Sequence, residues 1–126
     1  MILNLTDLSD EPLQSQIARQ VRAQILAGDL AAETSLPSIR VLARDHKVSV
    51  ITVQRAYEHL MQQGVIHARR GKGFFVSALQ EGEKTALAES RLREQLNRPV
   101  RTALAEGLSA EHIRHAVDQI IKDASS

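Results

Sequence analysis

The chain has 126 residues, of which 43% are hydrophobic and 25% are charged, and it contains no cysteine. This length suits one domain or a domain with a short appendage, and a chain without cysteine has no disulfide bonds, no cysteine-ligated metal and no thiol catalysis. The formal net charge is only +1, but residues 34–77 carry seven Lys or Arg side chains against Asp45 and Glu58, a local excess of +5, which favours a polyanionic partner.

The N-terminal residues do not combine a basic segment with an apolar one, and no run approaches the ~18 apolar residues that span a bilayer. The composition is that of an ordinary globular chain. We therefore expect a cytoplasmic protein without a membrane partner.

The first predicted helix runs from Glu11 to Ala27, with Asp10 as its expected N-cap and Gly28 as its end. Four apolar residues recur at every fourth position and form one helix face: Leu13, Ile17, Val21 and Ile25. Residues 28–35 are predicted to be a connector.

Two further helices follow in close succession. The second begins near Pro37 or Ser38 and ends near Asp45, and Ser49 is a favourable N-cap for the third. The third helix carries a stripe at positions i, i+3, i+4, i+7 and i+8: Val53, Ala56, Tyr57, Leu60 and Met61. Ile51 then faces outward at the start of the helix, which indicates a surface that meets a partner.

Past Gly64 the pattern changes to two short β-type segments, residues 65–69 and 74–77, with a basic and glycine-rich tip between them. Three helices followed by a basic hairpin have the order of a winged helix-turn-helix. The predicted fold class is therefore mainly α with a small β-hairpin wing, followed by a C-terminal helical tail.

The tail is predicted to contain a helix over residues 86–106, which Pro99 kinks or divides, and a final helix that Ser109 caps. Because two amphipathic helices need an apolar partner, we expect a homodimer through this tail. The expected dimerisation residues are Leu92, Leu96, Val100, Leu104, Ile113, Val117, Ile120 and Ile121. The predicted domains are residues 11–78 for the winged helix-turn-helix and residues 79–126 for the dimerisation tail.

A helix-turn-helix braces one helix across the DNA backbone and presents the first turns of the next helix to the major groove. The hydroxyl, amide, guanidinium and apolar side chains at those turns suit phosphates, base edges and thymine methyl groups. The wing tip, Arg69-Arg70-Gly71-Lys72-Gly73, brings three cations and two glycines close to a narrow groove. The predicted DNA-binding residues are Ser38, Arg40, Ser49, Val50, Ile51, Thr52, Gln54, Arg55, Arg70, Gly71, Lys72 and Gly73.

Residues 12–77 resemble the N-terminal domain of GntR-family bacterial transcription regulators. The resemblance is carried by Leu26-Ala27-Gly28-Asp29-Leu30, Leu36-Pro37-Ser38-Ile39-Arg40, Thr52-Val53-Gln54-Arg55-Ala56-Tyr57 and Arg69-Arg70-Gly71-Lys72-Gly73-Phe74-Phe75-Val76. It implies operator contacts from Arg40, from residues 49–52, from Gln54 and from residues 71–73. The short helical tail resembles the YtrA-like branch, whose tail serves dimerisation. Val50 and Gln54 stand where other branches of the family often carry Arg, so the operator preferences of those branches do not transfer to this chain.

Other functions have weaker signals. The wing glycines do not have the spacing of a nucleotide-binding Walker loop. His112 and His115 lie on one helical turn and are a poor set of metal ligands. An enzyme would need a nucleophile with a base or paired carboxylates, and the sequence offers neither. A protein-interaction winged helix stays open as the alternative, because this fold alone does not determine function.

We therefore expect a homodimeric, sequence-specific DNA-binding regulator of the repressor type that acts on a pseudo-palindromic operator. No cofactor and no metal is expected. An unidentified small-molecule effector is the remaining candidate partner: it would act near residues 79–84 or at the dimer interface, and the alternative is that the protein has no effector.

Overall fold

The computed structural model describes residues 1–126. It contains five α-helices and one antiparallel two-stranded sheet: α1 (Leu13–Leu26), α2 (Ile39–His46), α3 (Val50–Gln62), β1 (Ile66–Arg69), β2 (Gly73–Val76), α4 (Glu81–Ala105) and α5 (Ala110–Ser125). The predicted fold class, mainly α with a small hairpin wing, is confirmed. The chain separates into two compact units, residues 1–84 and residues 85–126.

The core of the first unit lies where α1, α2 and the hairpin pack against α3. The apolar faces predicted from the spacing of α1 and α3 supply most of it: Ile17, Val21, Ile25, Val53, Ala56, Tyr57 and Leu60 are buried. Leu42 of α2 is buried with them. Val65, Ile66 and Val76 add the inner face of the hairpin. Burial of these side chains provides the main favourable term in folding this unit.

Serine side chains start the two helices of the helix-turn-helix. Ser38 Oγ accepts a hydrogen bond from Val41 N at 3.2 Å, and Ser49 Oγ accepts one from Thr52 N at 3.0 Å, so each serine satisfies a backbone donor at its helix N-terminus. Between the helices Lys47 adopts a left-handed backbone conformation with φ of 54°, which ends α2. The expected cap at Asp10 is wrong, because α1 begins after Pro12 without a side-chain cap.

The wing is a hairpin in which Ile66 pairs with Val76 and Arg69 pairs with Gly73. The connector before α2 runs beside β2, because Val76 N donates to Thr34 O at 2.9 Å and Leu36 N donates to Phe74 O at 2.9 Å. The wing is therefore hydrogen-bonded to the segment that leads into α2.

Residues 1–6 lie along α1 and are held by a ladder of three glutamines. The side chains of Gln16, Gln20 and Gln24 bind the backbone of Thr6, Asn4 and Ile2, respectively. Four residues of helix rise about 6 Å, and two residues of extended chain rise about 6.6 Å, so the two periods match. No secondary-structure element is predicted for this segment from the sequence.

The tail differs from the prediction at its start and at Pro99. Helix α4 begins at Glu81 rather than near residue 86 and continues through Pro99 to Ala105, so Pro99 does not begin a new helix. Ser109 caps α5 as predicted. None of the residues in α4 or α5 is buried, and no helix of the chain has the length and apolar character needed to cross a membrane.

Candidate nucleic-acid interface

The first turn of α3 presents apolar side chains to solvent. Val50 is 47% exposed and Ile51 is 58% exposed, whereas Val53 on the opposite face is fully buried. Ser49 Oγ and Thr52 Oγ1 lie 2.7 Å apart, so their hydroxyl groups form one polar pair beside the apolar ones. This turn can offer both hydrogen-bonding groups and methyl groups to a partner.

The next residues on the outer face of α3 are also exposed. Gln54 Nε2 donates to Glu58 Oε1 at 3.2 Å, so this carboxylate is engaged by an amide and Arg55 has no ion-pair partner. On α2, Asp45 pairs with Arg44 at 3.4 Å and leaves Arg40 exposed and unpaired. Arg40 therefore forms no ion pair with Asp45, and Arg55 forms none with Glu58.

The wing tip is a tight turn in which Lys72 N donates to Arg69 O at 2.9 Å. Gly71 and Gly73 adopt positive φ values of 75° and 107°, a conformation that side-chain-bearing residues rarely adopt. Arg70 and Lys72 are exposed and make no ion pair, so both charges remain available.

Arg69 has a different role from the one that the sequence suggested. Its guanidinium forms an ion pair with Glu33 of the connector and lies 4.7 Å from the centre of the Phe75 ring. His67 stacks on the same ring with centroids 6.1 Å apart, and its Nε2 lies 3.6 Å from the same Glu33 carboxylate. Arg69 therefore joins the wing to the connector, and the tip carries two free cations rather than three.

Tyr57 connects the three elements that carry the predicted site. Its hydroxyl donates to Pro37 O at 2.7 Å, and its ring packs edge-on against Phe74 with centroids 4.9 Å apart. Pro37 precedes the N-cap of α2, and Phe74 follows the wing-tip glycine. Burial raises the pKa of Tyr57, so the phenol keeps its proton, and its ability to donate, beyond the pH at which an exposed tyrosine loses it.

One exposed cation was missed by the sequence analysis. Lys47 lies at the turn between α2 and α3 and makes no ion pair. Its place within the basic segment of residues 34–77 was the available signal. With it, the first unit has five unpaired cations on α2, α3, their turn and the wing: Arg40, Lys47, Arg55, Arg70 and Lys72.

Three helices, a hairpin wing tied to the connector and a set of free cations define the winged helix-turn-helix class of DNA-binding proteins. No group of His, Asp or Glu side chains is arranged to hold a metal ion. Residues 13–76 match the family model described as bacterial regulatory proteins, gntR family. The chain belongs to the GntR family, and it is a DNA-binding transcription regulator.

A relative similar over nearly its whole length is the HTH-type transcriptional repressor YtrA of Bacillus subtilis. It is 30% identical over 125 residues, which cover 97% of this chain and 94% of YtrA. Other curated relatives are longer, and the chain spans only 13% to 49% of the length of several of them.

Solved structures agree with this assignment. YtrA from Sulfolobus acidocaldarius, a GntR-family transcription factor, is 27% identical with a TM-score of 0.58, over 98% of this chain and all of that one. The DNA-binding domain of AraR in complex with operator ORX1 is 25% identical with a TM-score of 0.53, over 61% of this chain and 95% of that one. The expected resemblance to the YtrA-like branch is confirmed.

Proposed function

We propose that the protein is a homodimeric repressor that binds a pseudo-palindromic operator. In this proposal residues 11–78 read DNA and residues 79–126 hold two chains together. The observation that carries it is the exposed first turn of α3, with its apolar and hydroxyl groups, beside cations that no carboxylate neutralises. No catalytic activity forms part of the proposal.

Within each half-site, the first turns of α3 enter the major groove. Gln54 suits an adenine edge, Arg55 suits guanine or phosphate, and Val50 or Ile51 suits a thymine methyl group. Ser49 and Thr52 supply hydroxyls to bases or phosphates.

The remaining predicted contacts fix the register of the domain on the duplex. Ser38 and Arg40 at the start of α2 face the phosphate backbone, while Arg70 and Lys72 enter the adjacent groove at the wing. Gly71 and Gly73 let the wing backbone approach closely. Phosphate contacts of this kind position the protein without reading sequence.

The tail supports the dimeric part of the proposal. In α4, Leu92 is 54% exposed and Leu104 is 51% exposed, and in α5 Ile120 is 66% exposed. Large apolar side chains left open on two helices favour association with an equivalent surface. The proposed interface contains Leu92, Leu96, Val100, Leu104, Ile113, Val117, Ile120 and Ile121.

Repression and operator binding are supported by the relatives. The Bacillus subtilis relative is named a repressor, and the AraR domain was solved with its operator. A two-fold dimer places two recognition helices about one helical turn apart, which gives a pseudo-palindromic site.

The small-molecule effector stays a prediction. A cavity of about 140 Å³ lies beside Leu30, Leu79 and Lys84, at the end of the first unit where the sequence suggested an effector. Drug-sized ligands occupy pockets of about 300–1,000 Å³. This cavity therefore suits only a ligand of a few atoms.

The DNA-binding part is tested by selecting duplexes from a randomised pool with the full chain. Fluorescence anisotropy then compares the enriched duplex with a scrambled one at two salt concentrations. We expect a preference of at least about a hundredfold and a pseudo-palindromic enriched sequence. Gln54→Ala should alter the base preference, whereas Gln62→Ala, at the other end of α3, should not. Equal binding to both duplexes, or no binding, contradicts the proposal and favours the protein-interaction alternative.

The dimeric part is tested by sedimentation equilibrium. The unmodified chain should sediment as a dimer, and Leu104→Glu should shift it toward monomer because the interface would bury an unpaired charge. Leu8→Glu is the matched control, since Leu8 is 97% exposed outside the tail. A monomeric unmodified chain at micromolar concentration contradicts this part.

A further inference from the structure

Tyr57 is buried in the first unit and contacts no solvent, so it cannot touch DNA. We propose that Tyr57 is a positioning residue for sequence-specific recognition, which holds α3, the start of α2 and the wing in the arrangement that fits one operator half-site. This inference rests on the proposed function.

The hydroxyl sets the position of α2 relative to α3. It donates to the Pro37 carbonyl at 2.7 Å, and the next residue, Ser38, caps α2. A carbonyl that precedes the N-cap of a helix has no partner within that helix. Tyr57 supplies that partner from the middle of α3, so the start of the bracing helix is tied to the recognition helix.

The ring sets the position of the wing. Its edge-on contact with Phe74, at 4.9 Å between centroids and 71° between planes, has the geometry that aromatic pairs prefer. Phe74 O in turn accepts from Leu36 N at 2.9 Å, and Leu36 is bonded to Pro37. The contacts therefore form a closed circuit through Tyr57, Pro37, Leu36 and Phe74.

A closed circuit restrains relative position more strongly than a set of separate contacts. Base readout requires α3 to sit at the correct depth while the wing and α2 contact phosphates. Nonspecific binding depends chiefly on charge, and the exposed cations do not change when the Tyr57 hydroxyl is removed. Loss of the hydroxyl should therefore weaken specific binding selectively.

The test compares the unmodified chain with Tyr57→Phe, which keeps the ring and removes only the hydroxyl. Affinities for the enriched and scrambled duplexes are measured by anisotropy, at a temperature at which circular dichroism shows every variant folded. We expect the enriched duplex to bind about fivefold more weakly, while binding to the scrambled duplex and its salt slope stay unchanged. A second variant, Phe74→Leu, opens the circuit on the wing side and should also lower the ratio of the two affinities.

Ile17→Val is the matched control, because Ile17 is fully buried in α1 and lies outside the circuit. It should lower stability while leaving the ratio of affinities unchanged. The positioning role is overturned if Tyr57→Phe leaves the ratio unchanged, or if Ile17→Val lowers it equally. A wild-type chain that does not distinguish the two duplexes overturns the proposed function itself.

Discussion

Gln16 and Thr6 form a reciprocal pair of hydrogen bonds. Gln16 Oε1 accepts from Thr6 N at 3.0 Å, and Gln16 Nε2 donates to Thr6 O at 2.8 Å. The side-chain amide thus takes the place of a neighbouring strand for the extended N-terminal segment. Gln16 is only 2% exposed, so its polar atoms depend on these partners and on Glu11 O at 2.8 Å.

We expect Gln16→Ala to lower the free energy of unfolding by about 1–3 kcal/mol, because backbone groups of Thr6 and Glu11 lose their partner. Urea unfolding measures this loss, and hydrogen exchange should rise at residues 2–6. Gln62→Ala removes an exposed glutamine and serves as the control. Unchanged exchange at the N-terminal segment would show that Gln20 and Gln24 suffice to hold it.

The free cations of the wing should act through phosphate contacts. Arg70→Ala and Lys72→Ala should each weaken binding to the enriched duplex and to the scrambled duplex by a similar factor. Each should also reduce the slope of log affinity against log salt concentration by about 0.9. Lys122→Ala, in α5, should leave the slope unchanged. A double Arg70 and Lys72 variant with an unaltered slope would remove the wing from the interface.

Gly73 occupies a conformation that only glycine adopts at low cost. Its φ is 107°, and a Cβ there would meet no atom within 4 Å, so backbone strain alone opposes a side chain. Gly73→Ala should cost roughly 1–3 kcal/mol, whereas Gly82→Ala in helix α4 should be neutral or stabilise by up to about 1 kcal/mol. Urea unfolding compares the two, and equal effects would contradict a strain specific to the wing.

Tyr57 should make stability sensitive to high pH. Burial raises its pKa above the ordinary value of 10.0, so the unfolded chain loses this proton at a lower pH than the folded chain does. The stabilisation that comes from this pKa difference is fully present well below pH 10 and is lost as the pH rises through the folded-state pKa of Tyr57. Between pH 9 and pH 11 the urea midpoint should fall further for the unmodified chain than for Tyr57→Phe. Lysine titration affects both proteins equally, so the difference between the two falls reports the phenol. Parallel falls would show that the phenol does not contribute.

Much of the first unit follows from interactions within a few residues. The stripe Val53, Ala56, Leu60 repeats with the helical period, and Ser49 caps its own helix. The hairpin tip is similarly local, since its glycines adopt the left-handed conformations that the turn requires. The family resemblance rests on these same segments, which is why the fold class and the DNA-binding domain could be predicted from the sequence.

Other features depend on which distant residues meet. The sequence predicts Arg69 as one of the wing cations, but the fold brings Glu33 against it from 36 positions away. The sequence predicts Tyr57 as part of an apolar stripe, but its hydroxyl reaches Pro37, 20 positions earlier. No local pattern encodes either pairing.

The sequence by itself determined where α3 and α5 begin, at their serine caps, which faces are apolar and where positive charge accumulates, because backbone capping and side-chain periodicity act over one or two turns. The tertiary structure decided which cations stay free, that three glutamines of α1 hold the N-terminal segment, and that Tyr57 joins α2, α3 and the wing. These outcomes depend on the packing of elements far apart in the chain, because the buried hydroxyl of Tyr57 and the exposed carboxylate of Glu33 find their partners only after the elements have come together.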